Sequence, residues 1–274
     1  MELGLRNASV LVTGGSRGIG LAIAHAFAAE GANIAICGRD ATALAAAATQ
    51  LRAHGGQVLA VQADLLHPDA CTDLVAQTVQ AFGGLRVLVN NASASVDTTP
   101  AALETATDSQ LAARFTGKVM PAMRCTRAAI PALRASGAGR ILCIGGSSAR
   151  AIFRTGELPG AGSGLPQGLG NAALANFARH LAEELAPDRI TVNTIHPHLT
   201  RTDRHADRVT RLAASRNVSP ATIEAEIAAQ FPLGRVVEPA DIAPLVLLLA
   251  SPLAAAITGQ SIAIDGGALR SINY

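Results

Sequence analysis

The 274-residue sequence predicts one α/β domain, doubly wound around a central parallel sheet of about seven strands. Three observations predict it. Short apolar runs alternate with helical patterns, no linker or internal repeat divides the chain, and hydrophobic residues make up 49% of it, enough for a sizeable core. Continuous apolar runs are typical of strands that helices cover on both faces. We therefore expect a single domain over residues 1–274.

The expected elements follow one another in order. Strands are expected at 8–12, 33–37, 57–61, 86–90, 140–144, 190–195 and 261–265. Helices are expected at 18–30, 40–54, 68–82, 108–135, 171–186 and 239–250. The two segments 145–170 and 197–238 are expected to be irregular. Because ligands of open parallel sheets bind beyond the carboxyl ends of the strands, these segments should form walls of the site.

Composition excludes several classes of function. The net charge of +2 gives no reason to expect a nucleic-acid partner. We expect a soluble, cytoplasmic protein, because no apolar run suits a membrane span and the N-terminus lacks the features of a signal peptide. The four cysteines have no CxxC spacing, so we expect reduced thiols and no metal. A small molecule is the expected partner.

A glycine-rich turn, VLVTGGSRGIG at residues 10–20, joins the first expected strand to the first helix. Gly14 would allow the tight turn, while Gly18 and Gly20 would let the backbone approach a pyrophosphate at the positive end of the helix. A strand–helix turn without a ligand is the alternative. The position between a strand and a helix favours a dinucleotide site.

The end of the second strand bears on the choice of nucleotide. Sites for NAD place an acidic residue there, whereas this strand is followed by Arg39, and Arg17 lies in the glycine turn. Two guanidinium groups suit a 2′-phosphate, so NADP(H) is expected and NAD(H) is less favoured. Two alternatives remain: both arginines are solvated, or Asp40 faces the ribose and selects NAD.

The turn resembles that of the short-chain dehydrogenase/reductase family, and further resemblances run along almost the whole chain: "QADL", "VNNAS" with Ser93 for a glycine, "LAEELAPDRITVNTIHP", "PLGRVVEPADIA" and "TGQSIAIDGG". The resemblance implies a Rossmann-type domain, usually a homotetramer and alternatively a homodimer, that transfers hydride to or from a small carbonyl or alcohol. With the arginines, the expected cofactor contacts are Gly14, Ser16, Arg17, Gly18, Ile19, Gly20, Arg39, Asp64, Leu65, Asn91, Ala92, Asn171 and Thr202.

The catalytic positions depart from the family's pattern of Ser, Tyr, Lys and Asn. Aligned on the matching stretches, Gln167 stands at the Tyr position and Asn171 at the Lys position. Gly146 stands at the Ser position, directly before Ser147, and Lys118 stands at the Asn position. Lys and Asn have therefore traded places. The expected enzyme is an atypical family member that lacks the Tyr-x-x-x-Lys motif.

Lys118 is the only lysine among 22 basic side chains. Its helical stripe with Leu111, Phe115 and Ala122 predicts that it points inward. A buried ammonium has a lowered pKa, which suits proton transfer. Alternatively, Lys118 extends to solvent or pairs with an acidic group at a subunit interface. Asn171 could bind the nicotinamide ribose, or it could cap a helix N-terminus.

Other side chains near the site have ordinary alternatives. His198 is the second candidate for acid–base chemistry, and Ser147 could polarise a substrate oxygen, although both could be loop residues. Arg154 could bind an anionic substrate, and Tyr274 is expected at a frayed terminus. A solvated face is expected from arginines at helical spacing: Arg201, Arg204, Arg208 and Arg211. Two other functions remain open: an inactive or regulatory NADP(H)-binding protein, and a cofactor-assisted isomerase or dehydratase.

Overall fold

The computed structural model describes residues 2–94, 103–152 and 165–270. Its sheet has seven parallel strands in the order β3-β2-β1-β4-β5-β6-β7. They are β1 (Ser9–Val12), β2 (Asn33–Gly38), β3 (Val58–Gln62), β4 (Val87–Asn90), β5 (Arg140–Ile144), β6 (Thr191–Pro197) and β7 (Ser261–Ile264). The expected single α/β domain with a seven-stranded parallel sheet is confirmed.

The helices of the described residues pack on both faces of this sheet. They are α1 (Gly18–Ala29), α2 (Ala41–Arg52), α3 (Pro68–Phe82), α4 (Asp108–Arg114), α5 (Met120–Ala135), α6 (Leu165–Leu185), α7 (Asp203–Arg216), α8 (Pro220–Ala228) and α9 (Pro239–Ala250). A π-helical segment, Phe115–Val119, joins α4 to α5. No helix in these ranges is both long and apolar enough to cross a bilayer.

Strand β1 shows how the core forms two layers. Val10 and Val12 face the layer that contains Phe27 of α1, whereas Leu11 faces the layer that contains Leu74 of α3. All five side chains are fully buried. Because successive strand residues point to opposite faces, an unbroken apolar run is required when both faces are covered. The four cysteines lie in the described ranges, where they are buried and form no disulfide.

The chain order places a switch point beside β1. Strand β2 pairs with β1 on one side, with Val12 opposite Ile36, and β4 pairs on the other, with Val12 opposite Val89. The connections after β1 and β4 therefore leave the sheet in opposite directions. A crevice at such a point is where open α/β sheets bind ligands.

Two expectations about the segments beyond the strands are wrong. Residues 197–238 contain α7 and α8, and α6 begins at Leu165 instead of residue 171. Helix α7 buries only His205, Val209 and Ala213, so its apolar periodicity is sparse. Glycines lower the helical propensity of the first turns of α6. Residues 153–164, with Arg154, lie outside the described ranges, as does Tyr274.

The expected long helix at 108–135 is interrupted by the π-helical segment. The amide of Met120 donates to the carbonyl oxygen of Phe115, five residues earlier. The extra residue in this turn changes the helical register, so the expected stripe is not uniformly buried. Phe115 is 43% exposed, whereas Val119 is 1% exposed. Lys118 lies within the segment and is partly buried.

Candidate active site

A cleft of about 580 Å³ opens at the carboxyl ends of β1 and β4. Twelve of the thirteen expected cofactor contacts line it, the exception being Asn171. The lining set is Gly14, Ser16, Arg17, Gly18, Ile19, Gly20, Arg39, Asp64, Leu65, Asn91, Ala92 and Thr202. Of the expected catalytic residues, Lys118 lines the cleft, whereas Asn171, Ser147 and His198 are not among its lining residues.

The glycine turn could not be formed by residues with side chains. Gly14 and Gly18 have φ angles of 66° and 55°, in the left-handed region that favours glycine. A Cβ atom on Gly20 would lie 2.3 Å from the carbonyl oxygen of Gly14. Helix α1 begins here without a side-chain cap on its first amides. Uncapped amides at the positive end of a helix form a binding site for a phosphate group.

The turn is held against the end of β4 by a short hydrogen-bond network. Asn91 Nδ2 donates to the carbonyl oxygens of Thr13 and Gly14, at 2.9 and 3.1 Å. The hydroxyl oxygen of Thr13 accepts from the amides of Asn91 and Ala92, both at 3.0 Å. These bonds fix the two strand ends that form the floor of the cleft.

Charged groups meet at the end of β2. Arg17 forms an ion pair with Asp40, and Arg39 lies exposed beside them. Asp40 also caps α2, because its Oδ1 accepts from the amide of Ala43 at 3.0 Å. This hydrogen bond and then the guanidinium of Arg17 lower the pKa of Asp40. The arginines therefore share this end of the cleft with a carboxylate.

Two further groups close the ends of the cleft. Asp64 Oδ1 accepts from the amide of Leu66 at 3.1 Å, which fixes the turn after β3. Leu65 is buried beside it. At the other end, the methyl group of Thr202, the first residue before α7, would lie 3.2 Å from a Cβ atom on Gly18. A side chain at Gly18 would therefore crowd this wall.

Lys118 is held by two hydrogen bonds. Its Nζ donates to the carbonyl oxygen of Gly145 at 2.8 Å and to Asn171 Oδ1 at 2.7 Å. Burial lowers the pKa of Lys118 to about 7, and the charges of Arg114 and Arg204 contribute to this shift. The ammonium and the neutral amine are then both populated near neutral pH.

Asn171 lies well inside α6, so the interpretation as a helix N-cap is wrong. Its Nδ2 donates to Ser148 Oγ at 2.9 Å while its Oδ1 accepts from Lys118. A Cβ atom on Gly146 would lie 2.6 Å from the Nδ2 atom. The glycine at this position therefore makes room for the asparagine.

His198 and Ser147 form a buried pair outside the set of residues that line the cleft. Ser147 Oγ lies 2.6 Å from His198 Nδ1, and the two residues are 6% and 9% exposed. Burial lowers the pKa of His198, while Asp265 opposes the shift. His196 is fully buried and hydrogen-bonded to the backbone of Gly146, so it has a structural role.

Two arginines of the cleft were not expected there. From the sequence we predict no role for Arg114 and place Arg204 on a solvated face. Both residues line the cleft near Lys118. Burial lowers the pKa of Arg114, and the charge of Arg204 adds to the effect. Since Arg114 is one helical turn before Lys118, the sequence spacing alone could have indicated it.

The fold and the cleft define a dinucleotide-binding α/β protein, and comparison with known proteins identifies its family. The chain belongs to the short-chain dehydrogenase/reductase family. Residues 14–268 match the family model described as enoyl-(acyl carrier protein) reductase.

Three similar proteins cover nearly the whole chain. An uncharacterised oxidoreductase of Mycobacterium tuberculosis is 36% identical over 94% of this chain and 90% of its own. The rhamnolipids biosynthesis 3-oxoacyl-(acyl-carrier-protein) reductase of Pseudomonas aeruginosa is 37% identical over 94% of both. The crystal structure of L-sorbose reductase from Gluconobacter frateurii, complexed with NADPH and L-sorbose, has a TM-score of 0.90 and 29% identity. That match covers 99% of this chain and 100% of the reductase.

Proposed function

We propose that this protein is an NADP(H)-dependent oxidoreductase that reduces a small carbonyl compound or oxidises the corresponding alcohol, with Lys118 exchanging the proton. The observation that carries the proposal is the position of Lys118 on the cleft wall, with Gly145 and Asn171 as its two hydrogen-bond acceptors. One domain would span residues 1–274.

The cleft fits NADP(H). The uncapped amides at the start of α1 would hold the pyrophosphate, and Asp64, which lines the cleft, would contact the adenine, as the family resemblance implies. Arg39 and Arg17 would bind the 2′-phosphate. Arg17 would then either break its ion pair with Asp40 or contact the phosphate and Asp40 at the same time. The similar L-sorbose reductase binds NADPH, which supports this choice over NAD(H).

Hydrogen-bond counting explains what Lys118 would do. An ammonium has three N–H donors, and two of them are taken by Gly145 and Asn171. The third is left for a substrate oxygen. In the neutral amine both N–H groups remain bonded to the same two acceptors, and the lone pair takes the third direction. The two acceptors, Gly145 O and Asn171 Oδ1, thereby determine the direction in which Lys118 Nζ can give or take a proton.

The proton balance follows from this geometry. NADP(H), when bound in the cleft, would supply or accept the hydride at the substrate carbon. During reduction Lys118 donates a proton to the carbonyl oxygen and becomes a neutral amine, which regains a proton from solvent. During oxidation the neutral amine takes the hydroxyl proton. A pKa of about 7 lets the same residue serve both directions near neutral pH.

Asn171 and the pair of Ser147 and His198 would act at a distance from the substrate. Asn171 positions Lys118 and does not line the cleft. His198 is the second candidate for proton exchange, but its Nδ1 is bonded to Ser147 and it is not among the residues that line the cleft. Lys118 is therefore the stronger candidate.

Turnover with a panel of aldehydes and ketones tests the proposal. The wild-type protein is expected to consume NADPH and form alcohol in equal amounts. Lys118→Met should lower kcat by roughly 100-fold to 10,000-fold, the usual range for a lost proton donor. Its Kd for NADPH, followed by cofactor fluorescence, should stay within about threefold. His198→Gln, assayed in parallel, should lower kcat less than Lys118→Met does.

Two other outcomes correspond to the alternative functions. NADPH binding without turnover of any carbonyl would indicate an inactive or regulatory binding protein. Substrate conversion with no net change in NADPH would indicate an isomerase or dehydratase. A Lys118→Met variant with wild-type kcat would remove lysine from the reaction.

The proposal includes a cytoplasmic homo-oligomer, as the family resemblance implies. Large apolar side chains are exposed near the α4–α5 junction and on α6, namely Phe115 at 43% and Leu169 at 51%. A second copy could cover them. Light scattering coupled to gel filtration measures the number of subunits.

A further inference from the structure

Arg114 is a charged side chain that forms no ion pair with any of the residues that the structure describes. Its Nη1 donates to Ser93 Oγ at 3.2 Å. Its Nε is buried and has no hydrogen-bond partner. A buried guanidinium without its donors satisfied is costly, so such a group normally has an anionic partner.

Packing fixes the position of Arg114. A Cβ atom on Gly170 of α6 would lie 2.6 Å from the Cβ atom of Arg114 and 3.2 Å from its backbone. Because Gly170 has no side chain, the end of α4 can pack directly against α6. In this position Arg114 lines the cleft. Ser93, at the end of β4, supplies the hydroxyl that holds one Nη atom there.

The surrounding charges are positive. Lys118 and Arg204 line the same part of the cleft. Among the described residues, the cleft carboxylates are Asp40, Asp64, Asp203 and Asp207, and none forms an ion pair with Arg114, Lys118 or Arg204 within 4.0 Å. Within residues 2–94, 103–152 and 165–270, these three positive charges therefore have no ion-pair partner in the cleft.

We propose that Arg114, assisted by Arg204, is a binding site for a carboxylate group of the substrate, so that the substrate class is a short-chain oxo acid or the matching hydroxy acid. The inference rests on the proposed function for its reacting carbonyl group. The planar guanidinium matches a carboxylate with two parallel hydrogen bonds.

The proximity of Arg114 to Lys118 indicates a small substrate. Both residues line the cleft, and the charge of Arg114 contributes to the lowered pKa of Lys118, so the two groups are neighbours. One small molecule can then place its carbonyl oxygen at Lys118 and its carboxylate at Arg114. A 2-oxo or 3-oxo acid meets this requirement better than a neutral ketone.

Matched substrate pairs test the inference in the NADPH-loaded enzyme. The pairs are pyruvate with ethyl pyruvate and acetoacetate with ethyl acetoacetate, which differ in the free carboxylate. We expect the wild-type kcat/KM to favour the acid of at least one pair. Arg114→Gln should lower the ratio of acid to ester by at least tenfold. Arg52→Gln, which removes an exposed arginine outside the cleft, should keep the ratio.

A binding measurement does not depend on turnover. Calorimetry with oxamate, an unreactive carboxylate, and with the neutral oxamide should show oxamate binding that Arg114→Gln weakens at least tenfold. Arg114→Lys, which keeps the positive charge, should recover part of the affinity. Circular dichroism and the Kd for NADPH verify that each variant is folded.

The outcomes separate the two proposals. Oxamate binding that depends on Arg114, without reduction of any carbonyl, supports the anion site and contradicts the oxidoreductase. NADPH-dependent reduction with an acid-to-ester ratio that Arg114→Gln leaves unchanged overturns the anion site only. Binding of inorganic phosphate that is tighter than that of oxamate and depends on Arg114 would overturn the assignment to a carboxylate. A Kd for NADPH raised tenfold in Arg114→Gln would assign the arginine to the cofactor.

Discussion

Lys118 Nζ lies 2.7 Å from Asn171 Oδ1, and this contact joins the π-helical segment to α6. The family resemblance predicts that the two residues stand at the family's Asn and Lys positions, in exchanged order. On that alignment the site would keep an amide and an ammonium, with the charge on the facing helix instead of α6. The direct hydrogen bond between them is the basis of the first two predictions.

The rate of reduction should depend on pH through Lys118. Reduction needs the ammonium, so kcat/KM for a carbonyl should fall as pH rises through about 7, the pKa of Lys118. Oxidation of the alcohol needs the neutral amine, so its rate should rise over the same range. Stopped-flow assays from pH 5.5 to 9 measure both limbs. A Lys118→Met variant that retains the same limbs would show that another group titrates.

Asn171→Asp should shift this pH dependence. A carboxylate in place of the amide would stabilise the charged form of Lys118 and raise its pKa. The falling limb of the reduction profile should move to higher pH by at least about one unit. Asn217→Asp, at the exposed end of α7, adds the same charge outside the cleft and should leave the limb in place. If the pH dependence of reduction is the same in Asn171→Asp as in the wild type, the hydrogen bond between Lys118 and Asn171 does not set the pKa of the lysine.

Cofactor preference should depend on the charges at the end of β2. Arg39→Ala should weaken NADPH binding by roughly tenfold while changing NADH binding little, since a charge-assisted hydrogen bond contributes about 1.5–3 kcal/mol and exposure reduces this. Asp40→Asn should strengthen NADPH binding relative to NADH, because it releases Arg17 and retains an acceptor for the cap of α2. Fluorescence titration measures both affinities. Equal losses for the two cofactors would argue against a 2′-phosphate contact.

Gly20→Ala should damage the glycine turn. The added Cβ atom would lie 2.3 Å from the Gly14 oxygen, so the backbone must shift at a cost of about 1–3 kcal/mol. Thermal unfolding should show a lower Tm and a smaller increase in Tm with NADPH. Gly84→Ala is the matched control, because no atom lies within 4 Å of its added Cβ. A wild-type response to NADPH would mean that this turn does not bind the cofactor.

The sequence predicted the sheet and the nucleotide end of the site well, because both depend on local patterns. An apolar run on both faces of β1 and a glycine turn before α1 have few alternative structures. The chemistry end depends on contacts between distant segments. The hydrogen bonds of Lys118 to Gly145 and Asn171 span 27 and 53 residues.

Two predictions from helical periodicity are wrong. Periodicity predicts one regular helix through Phe115, where the structure has a π-helical turn that exposes this side chain. Periodicity also predicts that Arg204 lies on a solvated face, although the start of α7 lies against the cleft. Periodicity describes the environment of an isolated helix, whereas the position of its neighbours decides which exposed side chains enter a binding site.

The direction of the Lys118 side chain depends on the number of residues in the π-helical turn. Deleting one residue between 115 and 119 would close this turn to an ordinary α-helix, and the helix on either side would keep nearly the same faces, because a π-helical turn takes up its extra residue locally. The side chains inside the turn, Lys118 among them, would then point in a different direction even though every side chain that defines the chemistry was still present. Chain length in this single turn is thus as strict a requirement for the site as the identity of the lysine.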